Sequence, residues 1–262
     1  MATEITSRTN EKIKRAVKLS QSAKYRREEG EFFLQGLRLC FDAYLTGLKP
    51  RQLFYTSEAM AKHPDEISAM EKAAGESCLI TEEVAEKLSD TDNNQGIFAL
   101  YGKTEKRAEF DYKGKYVFLE EIQNPQNLGA VIRTAEALGV SGAVLCRCCD
   151  IYNPKALRAA MGSTLRLPVF ETENAPEFLL DRKQKGMKIL AAVPDSSAAD
   201  ISETDFGGGC IAVIGNEGNG VSDEVKSLCL PVTIPMPGGA ESLNAFAAAT
   251  ITIWEMTKGR RN

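Results

Sequence analysis

The chain has 262 residues, 43% hydrophobic and 26% charged, with 21 glycines and 10 prolines; this excludes a disordered, collagenous or coiled-coil polypeptide and fits one large or two modest globular domains. At this length about 70–75% of the extended-chain surface is expected to be buried, a core that needs no covalent staples, so the seven cysteines are expected as reduced thiols of a cytoplasmic protein. The net charge of −4 argues against a protein that coats nucleic acid nonspecifically, and the absence of an apolar signal core in MATEITSRTNEKIKR or of a run near ~18 apolar residues argues against secretion or membrane insertion.

Charge is uneven. Residues 1–30 hold eight basic side chains (Arg8, Lys12, Lys14, Arg15, Lys18, Lys24, Arg26, Arg27) against four acidic ones, a local +4. They form either a solvated helix face or a patch facing phosphates. Strand-like runs follow at Phe32 to Gln35, Gln52 to Tyr55 and Gly96 to Tyr101, alternating with helical segments at Leu37 to Leu45 and Thr81 to Leu88, with Thr81 as N-cap. That pattern predicts a small α/β domain. The polar stretch 103–115, KTEKRAEFDYKGK, then separates two halves of different texture and reads as a linker. Beyond it the runs KYVFLEE, GAVLCRC, LPVFE, KILAAV, CIAVIG and PVTIPM alternate with helix-sized segments, predicting a parallel sheet covered on both faces.

In such sheets ligands bind beyond the carboxyl ends of the strands. Three strand-to-helix junctions stand out. The first, Ile122 to Gly139, predicts a helix capped by Asn127 and closed at Gly139. Its broad apolar face holds Leu128, Val131, Ile132, Ala135 and Leu138; Ala130, Arg133 and Ala137 lie opposite, toward another surface such as a second subunit, or Arg133 is an ordinary exposed arginine. The second junction, CIAVIGNEGNGVSDEV, places Gly215, Gly218 and Gly220 where positive φ or close backbone approach to a ligand is allowed, with Ser222 capping the next helix. Glu217 argues against a phosphate cradle and suits a cationic ligand, with a purely structural turn as the alternative. The third junction, IPMPGGAESLNAFAAATITIWEMTK, enters a helix near Glu241 or Ser242 that is apolar nearly all round.

Taken together, N-x-G-x-x-x-R, G-N-E-G-x-G and I-P-M-x5-S-L-N, in this order and each at such a junction, resemble the SpoU (TrmH-like) branch of the SPOUT superfamily, RNA ribose 2′-O-methyltransferases that use S-adenosylmethionine. The resemblance covers residues 113–262. The region before it, with SRTNEKIKRAVKL, GEFFLQGLRLCFDAYLTG and DTDNNQGIFAL, is more loosely similar to the L30-like substrate-binding domain of many members. The resemblance implies an α/β fold with a carboxyl-terminal trefoil knot and a homodimer. It also implies domains at 1–105 and 113–262 joined by a linker at 106–112. Carried over by motif, Asn127, Arg133, Glu217, Ser242 and Asn244 are the expected catalytic residues. Gly215, Ile234, Met236 and Leu243 fall where members hold the cofactor, largely through backbone groups. Ala245 and Phe246 depart from the Val-Ser that members commonly carry.

The implied reaction places a ribose hydroxyl in line with a methyl on a sulfonium, and needs no metal. A guanidinium, with pKa above ~12, donates only, so Arg133 is expected to stabilise the developing alkoxide rather than to act as base. The expected substrate is ribosomal RNA, with transfer RNA, or a noncatalytic RNA-binding scaffold, as alternatives. His63, the single histidine, stands in a polar helical stretch and offers little to a catalytic triad, and Cys146, Cys148 and Cys149 are expected as buried small residues rather than metal ligands.

Overall fold

Two separate runs of strand-forming sequence build two sheets. The computed structural model describes residues 2–91, 94–103 and 109–258, and the chain divides into two compact units, residues 1–105 with 152–158, and residues 106–151 with 159–262. Residues 106–108 of the expected linker lie outside the described residues.

The first unit runs β1 (Thr3–Ile5), α1 (Glu11–Gln21), α2 (Ala23–Glu29), β2 (Glu31–Gln35), α3 (Leu37–Leu45), β3 (Pro50–Tyr55), α4 (Ser57–Lys62), α5 (Pro64–Ala73), β4 (Glu76–Ile80), α6 (Glu82–Leu88) and β5 (Ile97–Gly102). Its five strands lie in the order β1-β4-β3-β5-β2, with β5 antiparallel to both β3 and β2. Ile13, Ala16 and Leu19 recur at helical spacing along α1 and are fully buried with Phe33, Phe54 and Phe98 of the strands and Val84, Ala85 and Leu88 of α6. Thr81 occupies the N-cap position of α6 without a side-chain cap bond. His63 sits at the joint between α4 and α5.

The basic amino-terminal segment is largely exposed yet paired within its own unit, and only Arg26 of its eight basic residues is buried. Arg8 pairs with Glu86 at 2.8 Å, Lys12 with Glu76, Lys14 with Glu11 at 2.7 Å, and Arg15 with Glu31. Lys18 lies 4.0 Å from the Tyr25 ring centroid. Arg26 is buried, with Nη1 donating to the carbonyls of Leu19 at 2.6 Å and Ser20 at 3.0 Å, where it closes the end of α1. Three carboxylates beyond residue 30, those of Glu31, Glu76 and Glu86, thus offset much of the +4 of this segment.

The second unit runs β6 (Lys115–Glu120), α7 (Pro125–Ala137), β7 (Gly142–Cys146), α8 (Pro154–Ala160, mostly grouped with the first unit), β8 (Val169–Thr172), α9 (Ala175–Gln184), β9 (Lys188–Ala192), β10 (Ala199–Asp200), β11 (Cys210–Ile214), α10 (Asp223–Lys226), β12 (Leu230–Thr233) and α11 (Ala245–Thr257). The order is β10-β12-β9-β11-β6-β7-β8, with every pairing parallel. Every residue of β6, β7 and β11 is buried, as two covered faces require. Tyr116 and Phe118 pack with Leu179 of α9 and Val225 of α10, so Val117 and Leu119 face the other side, where α11 meets β6 and β11 and also packs along α7.

At the carboxyl ends of β6 and β7 the chain turns through Glu121 (φ 55°) and Arg147 (φ 51°), both in the left-handed region that costs a side-chain-bearing residue about 1–3 kcal/mol. Arg147 Nε lies 3.0 Å from Glu121 Oε1, joining the two strained turns by charge. The strain sits at the edge where the three motif loops emerge.

The Glu31 side chain is 4% exposed and takes both Arg15 and Arg51. Glu31→Gln should lower the unfolding free energy in urea by about 2 kcal/mol, less than a fully buried pair because Arg51 is 56% exposed. A change under about 0.5 kcal/mol would show that the two arginines are held independently of it.

Candidate active site

The first loop is set by a proline. Pro125 occupies the first turn of α7, where its missing N–H costs nothing, and the Asn124 side chain accepts from the N–H groups of Gln126 (2.9 Å) and Asn127 (3.4 Å). The cap is thus Asn124, three residues before the expected Asn127. Asn127 is released from capping and turns its amide outward, donating to Glu217 Oε1 at 3.1 Å. Gly139, with φ 71°, follows the helix end as expected. Gln123 and Asn124 also donate their backbone N–H groups to Glu217, each at 3.3 Å.

The second loop is a turn folded onto itself. Asn216 and Gly220 exchange backbone hydrogen bonds at 3.0 and 2.9 Å, and Asn216 Oδ1 accepts from the N–H groups of Gly218 (2.8 Å) and Asn219 (3.2 Å). The other end of that amide donates to the Glu121 carbonyl at 2.8 Å, tying the turn to the end of β6. Gly220 has φ 68°; Gly215 is required for a different reason, because a Cβ there would lie 2.1 Å from the Gly220 carbonyl carbon. Gly218 shows neither crowding nor positive φ, so the expected positive φ is found at one glycine of the three, while at Gly215 the close approach is that of the chain's own backbone.

Past the turn, Ser222 caps α10 as expected. Its N–H and hydroxyl both donate to the buried Glu120 carboxylate, at 2.9 and 2.7 Å. The sequence reading missed Glu120, Asn124 and Asn216. Glu120 is hidden inside an apolar strand run, and an asparagine in a Gly-rich turn looks like any turn former.

The third loop leaves β12 through Ile234 and Met236 and reaches α11, whose cap is Asn244: its Oδ1 accepts from the Phe246 N–H at 2.8 Å. The helix begins at Ala245, three to four residues later than the expected start near Glu241 or Ser242. Ser242 and Leu243 therefore remain in irregular backbone. A cavity of about 260 Å³ opens there, lined by the 215–221 turn, Val193, Pro194, Ile234, Met236, Ser242, Leu243 and Ala245. It brings together six of the expected site residues: Gly215, Glu217, Ile234, Met236, Ser242 and Leu243. Asn127 joins them through Glu217. Asn244 stands at the helix head just outside the lining, and Arg133 lies on the exposed face of α7, also outside it.

Burial pushes the Glu217 carboxyl up, but the Asn127 amide and backbone N–H groups outweigh that and hold it below the ordinary carboxylate range. The cavity thus combines apolar walls, a backbone-rich turn and a carboxylate that stays ionised. That set suits a flat apolar group with hydrogen-bonding edges and a cationic end, which is the chemistry of an adenosyl sulfonium. Of the three cysteines expected as buried only Cys146 is, Cys148 and Cys149 being half-buried. Cys146 and Cys149 stand at the spacing of a metal-binding pair, yet burial pushes the Cys146 thiol up and that of Cys149 up to about 11, which disfavours the thiolate a metal needs. Among the described residues no cluster of three His, Cys, Asp or Glu is placed to hold a metal ion.

Comparison with known proteins agrees with the geometry. Residues 10–99 match the MRM3-like substrate binding domain. An uncharacterized tRNA/rRNA methyltransferase of Synechocystis is 32% identical over 254 residues, 96% of this chain and 92% of that protein. The 23S rRNA (guanosine(2553)-2′-O)-methyltransferase of Bacillus subtilis is 28% identical, covering 97% and 98% of the two chains. The crystal structure of an AdoMet-bound rRNA methyltransferase from Sinorhizobium meliloti superposes with a TM-score of 0.89 at 26% identity, covering 100% of this chain and 99% of that one. Residues 114–254, more than half of the chain and all three motif loops, match the SpoU rRNA Methylase family, and the protein belongs to that family.

Proposed function

We propose that the chain is an S-adenosylmethionine-dependent RNA ribose 2′-O-methyltransferase acting on ribosomal RNA in the cytoplasm. The observation that carries this is the meeting of all three motif loops: Glu217, tied to Asn127, shares one cavity with Gly215, Ile234, Met236, Ser242 and Leu243. The 23S rRNA activity named for the Bacillus subtilis relative and the bound AdoMet of the Sinorhizobium meliloti structure support the choice of substrate and cofactor.

S-adenosylmethionine, when bound, supplies a methyl group already activated on a cationic sulfur. The protein then has to hold and orient. Backbone groups at Gly215, Ile234, Met236 and Leu243 hold the cofactor, and the ionised Glu217 favours a positive centre at the cavity mouth. Asn127 keeps that carboxylate in place. Ser242 contributes a hydroxyl on the wall, and Asn244 fixes the head of α11. Arg133 donates to the developing ribose oxyanion and to a neighbouring phosphate.

Arg133 stands outside the cavity lining of its own protomer, and the Ala130 and Ala137 face beside it is small and partly open, while Trp254 on α11 is 57% exposed. A homodimer that covers these helices and delivers Arg133 to a shared site accounts for all three features. The convergence of residues 215–221, 234–236 and 242–245 on one cavity fits a carboxyl-terminal trefoil knot. An L30-like domain at residues 1–105 recognises the RNA, a role that the match to the MRM3-like substrate binding domain supports. A linker at 106–112 joins it to the methyltransferase domain at 113–262.

Purified protein given tritiated S-adenosylmethionine should label 23S rRNA at ribose 2′-oxygens; label on transfer RNA alone would move the substrate, and no transfer to any RNA would refute the reading. Arg133→Ala should cut turnover at least 100-fold while cofactor affinity stays within threefold; a rate within threefold of wild type would remove Arg133 from the chemistry. Glu217 titrates below its unfolded value, so its contribution is complete above the ordinary carboxylate pKa of ~4.3 and is lost as pH falls through the lower folded value. The stability difference between wild type and Glu217→Gln should therefore stay constant from pH 8 to 5 and shrink only below about pH 4, as urea midpoints would measure. A difference already shrinking at pH 6 would contradict the hydrogen-bonding seen here.

A further inference from the structure

Two charged side chains line the cavity among the described residues, Glu217 on one loop and Lys226 on α10. Lys226 has no place in the three motifs. Its seat is nonetheless fixed by buried neighbours: Val225 is inserted in the core with Val213 and Leu179, and Ser222, which caps the helix, is locked onto the buried Glu120. The Lys226 N–H donates to the Ser222 carbonyl at 2.8 Å, so the residue rises directly from that anchored turn. Its side chain is 42% exposed, and its partner is Asp223, at 3.2 Å and fully exposed. An exposed pair of this kind is worth little and exchanges readily for a better-placed anion.

We infer that Lys226 is a binding residue for the α-carboxylate at the amino-acid end of the cofactor, with Glu217 matching its positive charge. This rests on the methyltransferase reading. A cavity lined by one anion and one cation is complementary to a ligand that carries both signs, and the amino-acid tail bears the single carboxylate of S-adenosylmethionine. Lys226 leaves Asp223 on binding and donates to that carboxylate; no covalent step is involved.

Calorimetry on the full chain tests this with two probes: S-adenosylhomocysteine, which keeps the carboxylate, and 5′-methylthioadenosine, which lacks the whole amino-acid tail. Lys226→Ala should weaken S-adenosylhomocysteine about tenfold and leave 5′-methylthioadenosine within twofold, and Lys226→Arg should restore the first to within threefold. Lys226→Gln replaces the alanine variant if alanine lowers the melting temperature. Equal losses for both probes, or none for either, would overturn the assignment. So would an RNA KM that rises with S-adenosylhomocysteine affinity unchanged, which would place Lys226 on a phosphate instead. Failure of the wild-type chain to bind either probe is a separate result, and it would remove the cofactor reading beneath.

Discussion

One carboxylate ties the functional edge of the second unit together. Glu217 accepts from the Asn127 side chain and from the backbone N–H groups of Gln123 and Asn124, so the loop after β6 and the loop after β11 can part only by exchanging these three donors for water. Such multiply bonded carboxylates are held charged against the cost of burial. The same arrangement gives the cavity a fixed negative charge and a fixed shape, and both precede any ligand.

A second carboxylate repeats the device deeper in the fold. Glu120, at the last position of β6, is 2% exposed and takes both donors of Ser222, which starts α10. Directly after it the chain enters the left-handed region at Glu121, whose carbonyl receives the Asn216 amide. The end of one strand therefore supports the turn beyond another through polar contacts alone. Parallel strands need this, because their connections are long and neighbouring loops share no hairpin to set their relative positions.

The architecture was largely legible in the residues. Continuous apolar runs marked every long strand of the parallel sheet, and the α3 boundaries fell at Leu37 and Leu45 as periodicity suggested. The helix starts at the motif loops were misplaced by three to four residues. Asn124 competed with Asn127, and Ser242 with Asn244, and pattern alone does not tell which polar side chain folds back onto the backbone. That shift matters to the site, since it releases Asn127 from capping and leaves Ser242 ahead of the helix, where each is free to face a ligand or its support. The family resemblance, carried over motif by motif, named six residues that line the cavity, and loops at the carboxyl ends of parallel strands are where such residues can meet. It offered nothing for Glu120 or Lys226, whose positions depend on what packs beneath them. The charge count pointed to an exposed basic face, and five of the eight basic residues are exposed, but it could not show that Arg26 lies buried or that Arg8, Lys12 and Arg15 have carboxylate partners within their own unit.

Gly215 carries a longer-term consequence. The room that a methyl group would take at this position is filled by the backbone of residues 220 and 221, within 2.1 Å. Backbone cannot step aside as a flexible side chain can, so no rotamer change relieves the collision. All nineteen alternatives share the atom that collides, and conservative and radical replacements are equally barred. Drift across related chains should leave this glycine standing while the residues around it vary.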